Sequence, residues 1–304
     1  MNVNFFQENI MVFGVVCGCV AAAMQSTSYV FSRLFISRYK SAMHLAVYSQ
    51  ILMGVMGFIL LGICSFFTTF PWSLKYILFG AAWVVTYVLA QTSFFMALKT
   101  VEASRLSSLL GTKIIVLALM AVLLGNHLTP SRWLAVVLCT ISAVGMNFTG
   151  GKLSLKSMFW IGMAVLNYSL CDLSCTEMVK MMPGNNVMIK SYGVVAVSYA
   201  ALGVLSLPAL LFVPRKKEYF RDALPFSAAW FISMTFLLSA FGSLGVVYGT
   251  ILQSGRGIVS VVIGAGLLYF GFEHLEPRVN KRAWIRRLCM AILMLTAMVI
   301  YSVG

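Results

Sequence analysis

Ten apolar runs separated by short polar stretches pattern the chain from end to end. They cover approximately 10–32, 43–67, 76–98, 106–124, 133–148, 158–178, 187–213, 226–253, 257–272 and 288–303. A helix satisfies its own backbone hydrogen bonds in hydrocarbon, and about 20 apolar residues cross about 30 Å, so each run predicts one membrane-spanning helix. Lys113 interrupts the fourth run and Asp172 the sixth, and Arg256 stands just before the ninth. The connections are short, which predicts a single membrane domain with no soluble appendage. No basic segment precedes the first run, so that span is expected to act as its own insertion signal rather than as a cleaved leader.

The pattern repeats. The stretch 123–147, LLGNHLTPSRWLAVVLCTISAVGMN, returns in degraded form near the C-terminus as FGFEHLEPRVNKRAWIRRLCMAILMLTAMVIYS. In each copy an apolar run ends in a five-residue corner, Asn126-His127-Leu128-Thr129-Pro130 and then Glu273-His274-Leu275-Glu276-Pro277, followed by a basic patch with a Trp and a new apolar run. The repeat divides the chain into halves of five spans, 1–150 and 151–304. An odd number of spans per half inserts the halves in opposite senses, which predicts an inverted repeat with a site near the bilayer midplane between them. The expected fold is therefore all-α and integral to the membrane, with ten transmembrane helices in two inverted five-helix repeats.

Composition agrees with this and narrows the chemistry. Of 304 residues, 61% are hydrophobic and 10% charged, and the mean hydropathy is +0.93. All seven cysteines lie in apolar runs and read as reduced packing residues, and although Cys171 and Cys175 flank Asp172, no histidine lies near. No metal and no cofactor is expected. HExxH, nucleophile-elbow and P-loop patterns are absent from the sequence, so it does not read as an enzyme. His127 and His274 read as interfacial polar residues. The net charge of +14 is spread by loop rather than gathered in one patch, which argues against a nucleic-acid partner. Sixteen Lys and Arg follow odd-numbered spans and five follow even-numbered ones, with Lys113 inside a span. Basic loops stay cytoplasmic, so both termini are expected outside.

LLGNHLTPSRWLAVVLCTISAVG and its counterpart FGFEHLEP resemble the end-of-fourth-span pattern of the drug/metabolite transporter superfamily, EamA-like branch, and the resemblance covers the whole chain. It implies ten helices in two five-helix repeats, a multi-pass protein of the cell membrane (the inner membrane in a bacterium), small-molecule transport in the export direction, and cytoplasmic termini. On the last point it disagrees with the charge count. The pattern usually carries an acid after the Gly; Glu273 keeps it and Asn126 departs from it.

Polar residues inside the spans give the candidate site. Gln25, Ser28, Tyr29, Ser32 and Arg33 fall on one face of the first helix. Aligning Gly18 with Gly162 sets Ser169, Asp172, Thr176 and Glu177 on the equivalent face of the sixth. The third span adds Tyr87, Gln91 and Thr92, and the eighth adds Ser239, Ser243, Tyr248, Thr250 and Gln253, with Arg256 just beyond. The series Gly242, Gly245, Gly249 reads as close helix approach, as do Ser104, Ser107, Ser108 and Gly111 in the fourth span and Gly257, Ser260 and Gly264 in the ninth. Lys113 lies eight residues past Arg105, about 12 Å along a helix, where facing a cavity and snorkelling are both open. Arg33, Lys113 and Arg256 outnumber Asp172 and Glu177. That excess predicts a small amphipathic substrate carrying an anionic group, such as an amino acid or a related anionic or zwitterionic metabolite, with a proton or counter-substrate as a further partner. The Gly18–Gly162 register also pairs Arg33 with Glu177 and predicts a charged gate near the pseudo-two-fold axis. A lipid flippase of the same fold and a non-transporting scaffold are the alternatives. The expected state is a monomer or weak homodimer.

Overall fold

A computed structural model describes residues 3–98, 101, 106, 109–146, 153–259, 262–263 and 281–304. Among these residues all regular structure is helical. The helices are α1 (Val3–Tyr39), α2 (Ala42–Ser65), α3 (Leu74–Leu98), α4 (Lys113–Leu123), α5 (Pro130–Met146), α6 (Leu155–Met181), α7 (Val187–Ser206), α8 (Lys217–Leu244), α9 (Val246–Ser254) and α10 (Lys281–Val303). Single 3-10 turns, Leu110–Thr112 and Leu207–Leu211, lead into α4 and out of α7. Seven of the described helices are long and apolar enough to cross a membrane, and the segments Leu110–Leu123 and Pro130–Met146 are shorter apolar helices.

Short side chains start several helices by accepting from backbone N–H groups that have no partner within the helix. Ser41 caps α2 through the amide of His44, Ser154 caps α6 through Ser157, and Asn186 caps α7 through Met188 and Ile189.

α1 lies along α8, α3 along α6, α2 along α7 and α5 along α10. The α2–α7 crossing is backbone against backbone. A Cβ at Gly54 would stand 2.5 Å from the Cα of Gly203, and one at Gly57 would stand 2.7 Å from the nitrogen of Ala200. Hydrocarbon supplies no hydrophobic force between apolar helices, so close van der Waals approach through small residues holds such a crossing.

At one end of the bundle the C-terminus of α1 meets the N-terminus of α8. Asp222 accepts from Arg38 at 2.5 Å, from the Tyr39 hydroxyl at 2.7 Å and from its neighbour Arg221 at 3.0 Å. Phe35, Tyr39, Tyr48 and Tyr219 pack together beneath this cluster.

The structure redraws one boundary. The apolar run 226–253 is two helices, because α8 stops at Leu244 and Gly245, at φ +81, turns the chain before α9 begins. A left-handed residue ends a helix, and hydropathy does not register it when both sides are apolar. After α9 the single residue Gly255 bends the chain and helical hydrogen bonding resumes, the amides of Ile258 and Val259 donating to the Gly255 carbonyl. The glycine series therefore splits in role. Gly242 admits Val187 and Val179, Gly249 admits Phe241, and Gly245 is the break.

In the first copy of the repeated corner, Gly125 takes φ +88 and the Asn126 side chain donates to the carbonyl of Ala121, which turns the chain between α4 and α5. The second corner with Glu273 and His274, together with Ser104, Arg105, Ser107, Ser108, Ser260 and Gly264, lies outside the described residues.

Candidate functional site

Six side chains, far apart in sequence, form one hydrogen-bonded line. Nζ of Lys113, in the first turn of α4, donates to Oδ2 of Asp172 on α6 at 2.6 Å and to Oε1 of Gln253 on α9 at 3.2 Å. Nε2 of Gln253 donates to Oε1 of Gln25 on α1 at 3.1 Å. The same Gln25 oxygen accepts Nη1 of Arg256 at 3.0 Å, and Arg256 reaches the Tyr29 hydroxyl at 3.4 Å, with its guanidinium 5.9 Å from the Tyr29 ring centroid. Ser26 donates to the backbone carbonyl of Arg256 at 2.9 Å and so fastens the bend after α9 to α1.

The line is buried. Gln25 is 2% exposed, Gln253 5% and Asp172 8%, and the side chains of Lys113 and Asp172 retain 12% and 10%. Gln25 lies midway along the Ile10–Tyr39 span, and Asp172 lies near the middle of α6, so the line crosses the interior of the bundle. Its charges do not cancel. Lys113 and Asp172 neutralise each other, whereas the partners of Arg256 are an amide oxygen and a phenol. Among the described residues no carboxylate reaches Arg256. A cation held this way in a low-dielectric interior favours an anion beside it.

A chain of aromatic rings starts from the same Tyr29. Tyr29 meets Trp230 of α8 edge-on at 6.2 Å, and Trp230 donates its indole N–H to the Tyr199 hydroxyl of α7 at 3.0 Å. Tyr199 packs against Trp83 of α3 at 5.5 Å, and Trp83 stacks on Tyr87 at 5.1 Å. Gln91 closes this series by donating to the Tyr87 hydroxyl at 3.2 Å.

The remaining candidates lie off the line. Ser28, Ser32, Ser169 and Thr176 donate to carbonyls one turn back on their own helices, at Gln25, Tyr29, Val165 and Asp172. This local bond satisfies a hydroxyl in an apolar setting without any ligand. Tyr248 stacks on Tyr301 of α10 at 5.0 Å, which turns it away from Arg256. Glu177 pairs with Lys180 at 2.6 Å, one turn further along α6.

The gate expected between Arg33 and Glu177 does not form. Arg33 lies near the end of α1 that joins α2, the end where Arg38 meets Asp222 on the first turns of α8. Glu177 lies near the opposite end, because α6 ends at Met181, five residues before α7 sets off toward the Asp222 end. Equivalent positions in oppositely directed helices fall on opposite sides of the midplane, so only residues near the middle can meet. Trp83, Trp230 and Tyr199 went unread in the sequence. Trp83 alone carried a signal, since Trp83, Tyr87 and Gln91 share one helical face.

The EamA-like transporter family matches residues 12–148 of the chain. None of the curated proteins compared with it matches in sequence. Among solved structures, a crystal structure of a protein 13% identical superposes with a TM-score of 0.67, over 95% of this chain and 96% of that one. At that identity the likeness concerns the fold alone.

Proposed function

We propose that the protein, whose residues 12–148 match the EamA-like transporter family, is a secondary transporter whose halves, 1–150 and 151–304, are inverted repeats that give alternating access to the buried polar line. The observation that carries this reading is the direction of the links. Lys113–Asp172, Lys113–Gln253, Gln25–Gln253, Gln25–Arg256 and Tyr29–Arg256 each join one half to the other. Movement of one half against the other must break or exchange at least one of them, so the site registers the conformation.

The helix pairing supports the inverted repeat. Exchanging the halves turns α1 into α6 and α3 into α8, so the α1–α8 contact becomes the α6–α3 contact; α2–α7 and α5–α10 map onto themselves. A pseudo-two-fold axis relating the halves accounts for all four pairings at once.

The substrate is a small amphipathic metabolite with a carboxylate or phosphate, an amino acid or a related compound. Arg256 takes the acid, and Tyr29 and Tyr87 offer ring faces. Export is the direction suggested by the resemblance. A lateral cavity of about 350 Å³ between the start of α4 and α6 is lined by apolar residues such as Leu109, Val116, Ile161 and Val165. Among the described residues no basic side chain lines it to hold a lipid headgroup, so the flippase reading ranks second.

The test is a ligand-stabilisation screen of the purified protein with amino acids, aliphatic and aromatic carboxylates, organic phosphates and quaternary ammonium compounds. An anionic or zwitterionic ligand at a hundredfold its Kd should add about 2.7 kcal/mol, and Arg256→Gln should lose that gain. Stabilisation by the quaternary ammonium compounds alone would sink the assignment. A hit should also cross proteoliposome membranes. For orientation, cysteines placed in 215–221 should react with membrane-impermeant maleimide only after cells are opened. Labelling of intact cells would reverse the termini.

A further inference from the structure

Asp172 supplies the sole negative charge of the polar line, and its carboxylate is held from one side. Lys113 touches it at 2.6 Å, and among the described residues no second donor reaches it. Lys113 has an alternative partner already in place, the Gln253 oxygen at 3.2 Å. Among the described residues, the titratable groups around Asp172 are Lys113 from α4, Tyr168, Cys171 and Cys175 on α6 itself, Tyr76 and Tyr87 of α3 against those cysteines, and Tyr199 of α7. Among the described residues no charged group of α8 or α9 touches it.

We infer that Asp172 is a proton-binding site, loaded when the halves part and emptied when Lys113 returns. The inference rests on the transporter reading, since it needs α4 to move relative to α6. Once Lys113 withdraws, an ionised Asp172 is an uncompensated charge in a medium of low dielectric. One proton taken from the aqueous side then open converts the carboxylate to the neutral acid. Lys113 keeps its bond to Gln253. The line then holds two cations, Lys113 and Arg256, and no anion of its own, so an anionic substrate binds best to the proton-loaded form. Proton and anion travel together.

The proton itself serves as the probe. Proteoliposomes adsorbed on a solid-supported membrane receive a pH jump from 8 to 6 with no substrate present. Wild type should give a transient charge displacement, Asp172→Asn should lose it, and Asp172→Glu, which keeps the carboxyl, should retain it. Glu218→Gln, on an exposed first turn, should match wild type. A silent wild type, or an Asp172→Asn trace equal to wild type, would overturn the proton site. Wild type needs no mutant to fold, so its trace decides even if a variant is lost. If the flux measurement succeeds while the pH jump is silent, the transporter reading stands and the proton site falls; a pH-jump signal without flux gives the reverse.

Discussion

Lys113→Met should destabilise the protein by about 3–5 kcal/mol, the cost of leaving a buried charge without its partner. Asp172 would keep an exposure of 10% with no cation against it. The loss should appear as a lowered melting temperature in detergent and as abolished flux of any ligand found by the screen. Replacing both partners with apolar residues, Lys113→Met with Asp172→Leu, removes both desolvation costs, so stability should return to near wild type. Transport should not return, since the double variant has neither charge with which to register the moving halves. Recovery of flux in the double variant would show that the pair only holds the fold. A double variant as unstable as the single would show that the pair is not energetically isolated from Gln253.

The second large effect is steric. Gly54→Ala places a Cβ within 2.5 Å of the Gly203 Cα, a backbone atom that cannot swing aside, so α2 and α7 must separate along a contact between the two proposed halves. Gly57→Ala meets the Ala200 nitrogen at 2.7 Å in the same way. Gly62, on the same helix, has nothing within 4 Å of its Cβ position, so Gly62→Ala should be neutral or slightly stabilising, as Ala is favoured over Gly in helices by about 0.5–1 kcal/mol. Size-exclusion profiles of the three variants decide it: the first two should lose the monodisperse peak and the third should keep it. A monodisperse Gly54→Ala protein of unchanged melting temperature would mean the crossing is looser than described.

Much of this architecture is visible in the chain because membrane helices are marked by long apolar runs, and those runs locate most of the helices described. The Gly245 break escaped because both flanks are apolar and only a backbone angle separates them. The polar stripes include Gln25, Tyr29 and Asp172, which the structure joins in one hydrogen-bonded line, but the pattern does not distinguish a hydroxyl bonded to its own helix from one facing a ligand, so Ser28, Ser32, Ser169 and Thr176 looked the same as their neighbours. Lys113, with two readings open, turns inward onto Asp172. Arg33 and Glu177 were paired by register alone, and register says which residues correspond without saying at what depth each lies. The aromatic series was hidden for a different reason. A Trp facing lipid and a Trp facing a neighbouring ring have the same sequence signature.

The links between the halves also set an order of events during synthesis. Lys113 leaves the ribosome 59 residues before Asp172 and 140 before Gln253, and Gln25 leaves more than 220 before both of its partners. At about 5–20 residues per second, Lys113 waits about 7–28 s for Gln253. Until Asp172 emerges the nascent N-terminal half holds the Lys113 ammonium without its partner from the other half, and until Gln253 emerges it holds the Gln25 amide in the same position, in surroundings where such groups are costly. The half must therefore be sheltered, by water at the insertion site or by an insertase with a polar interior, until the second half arrives to close the line.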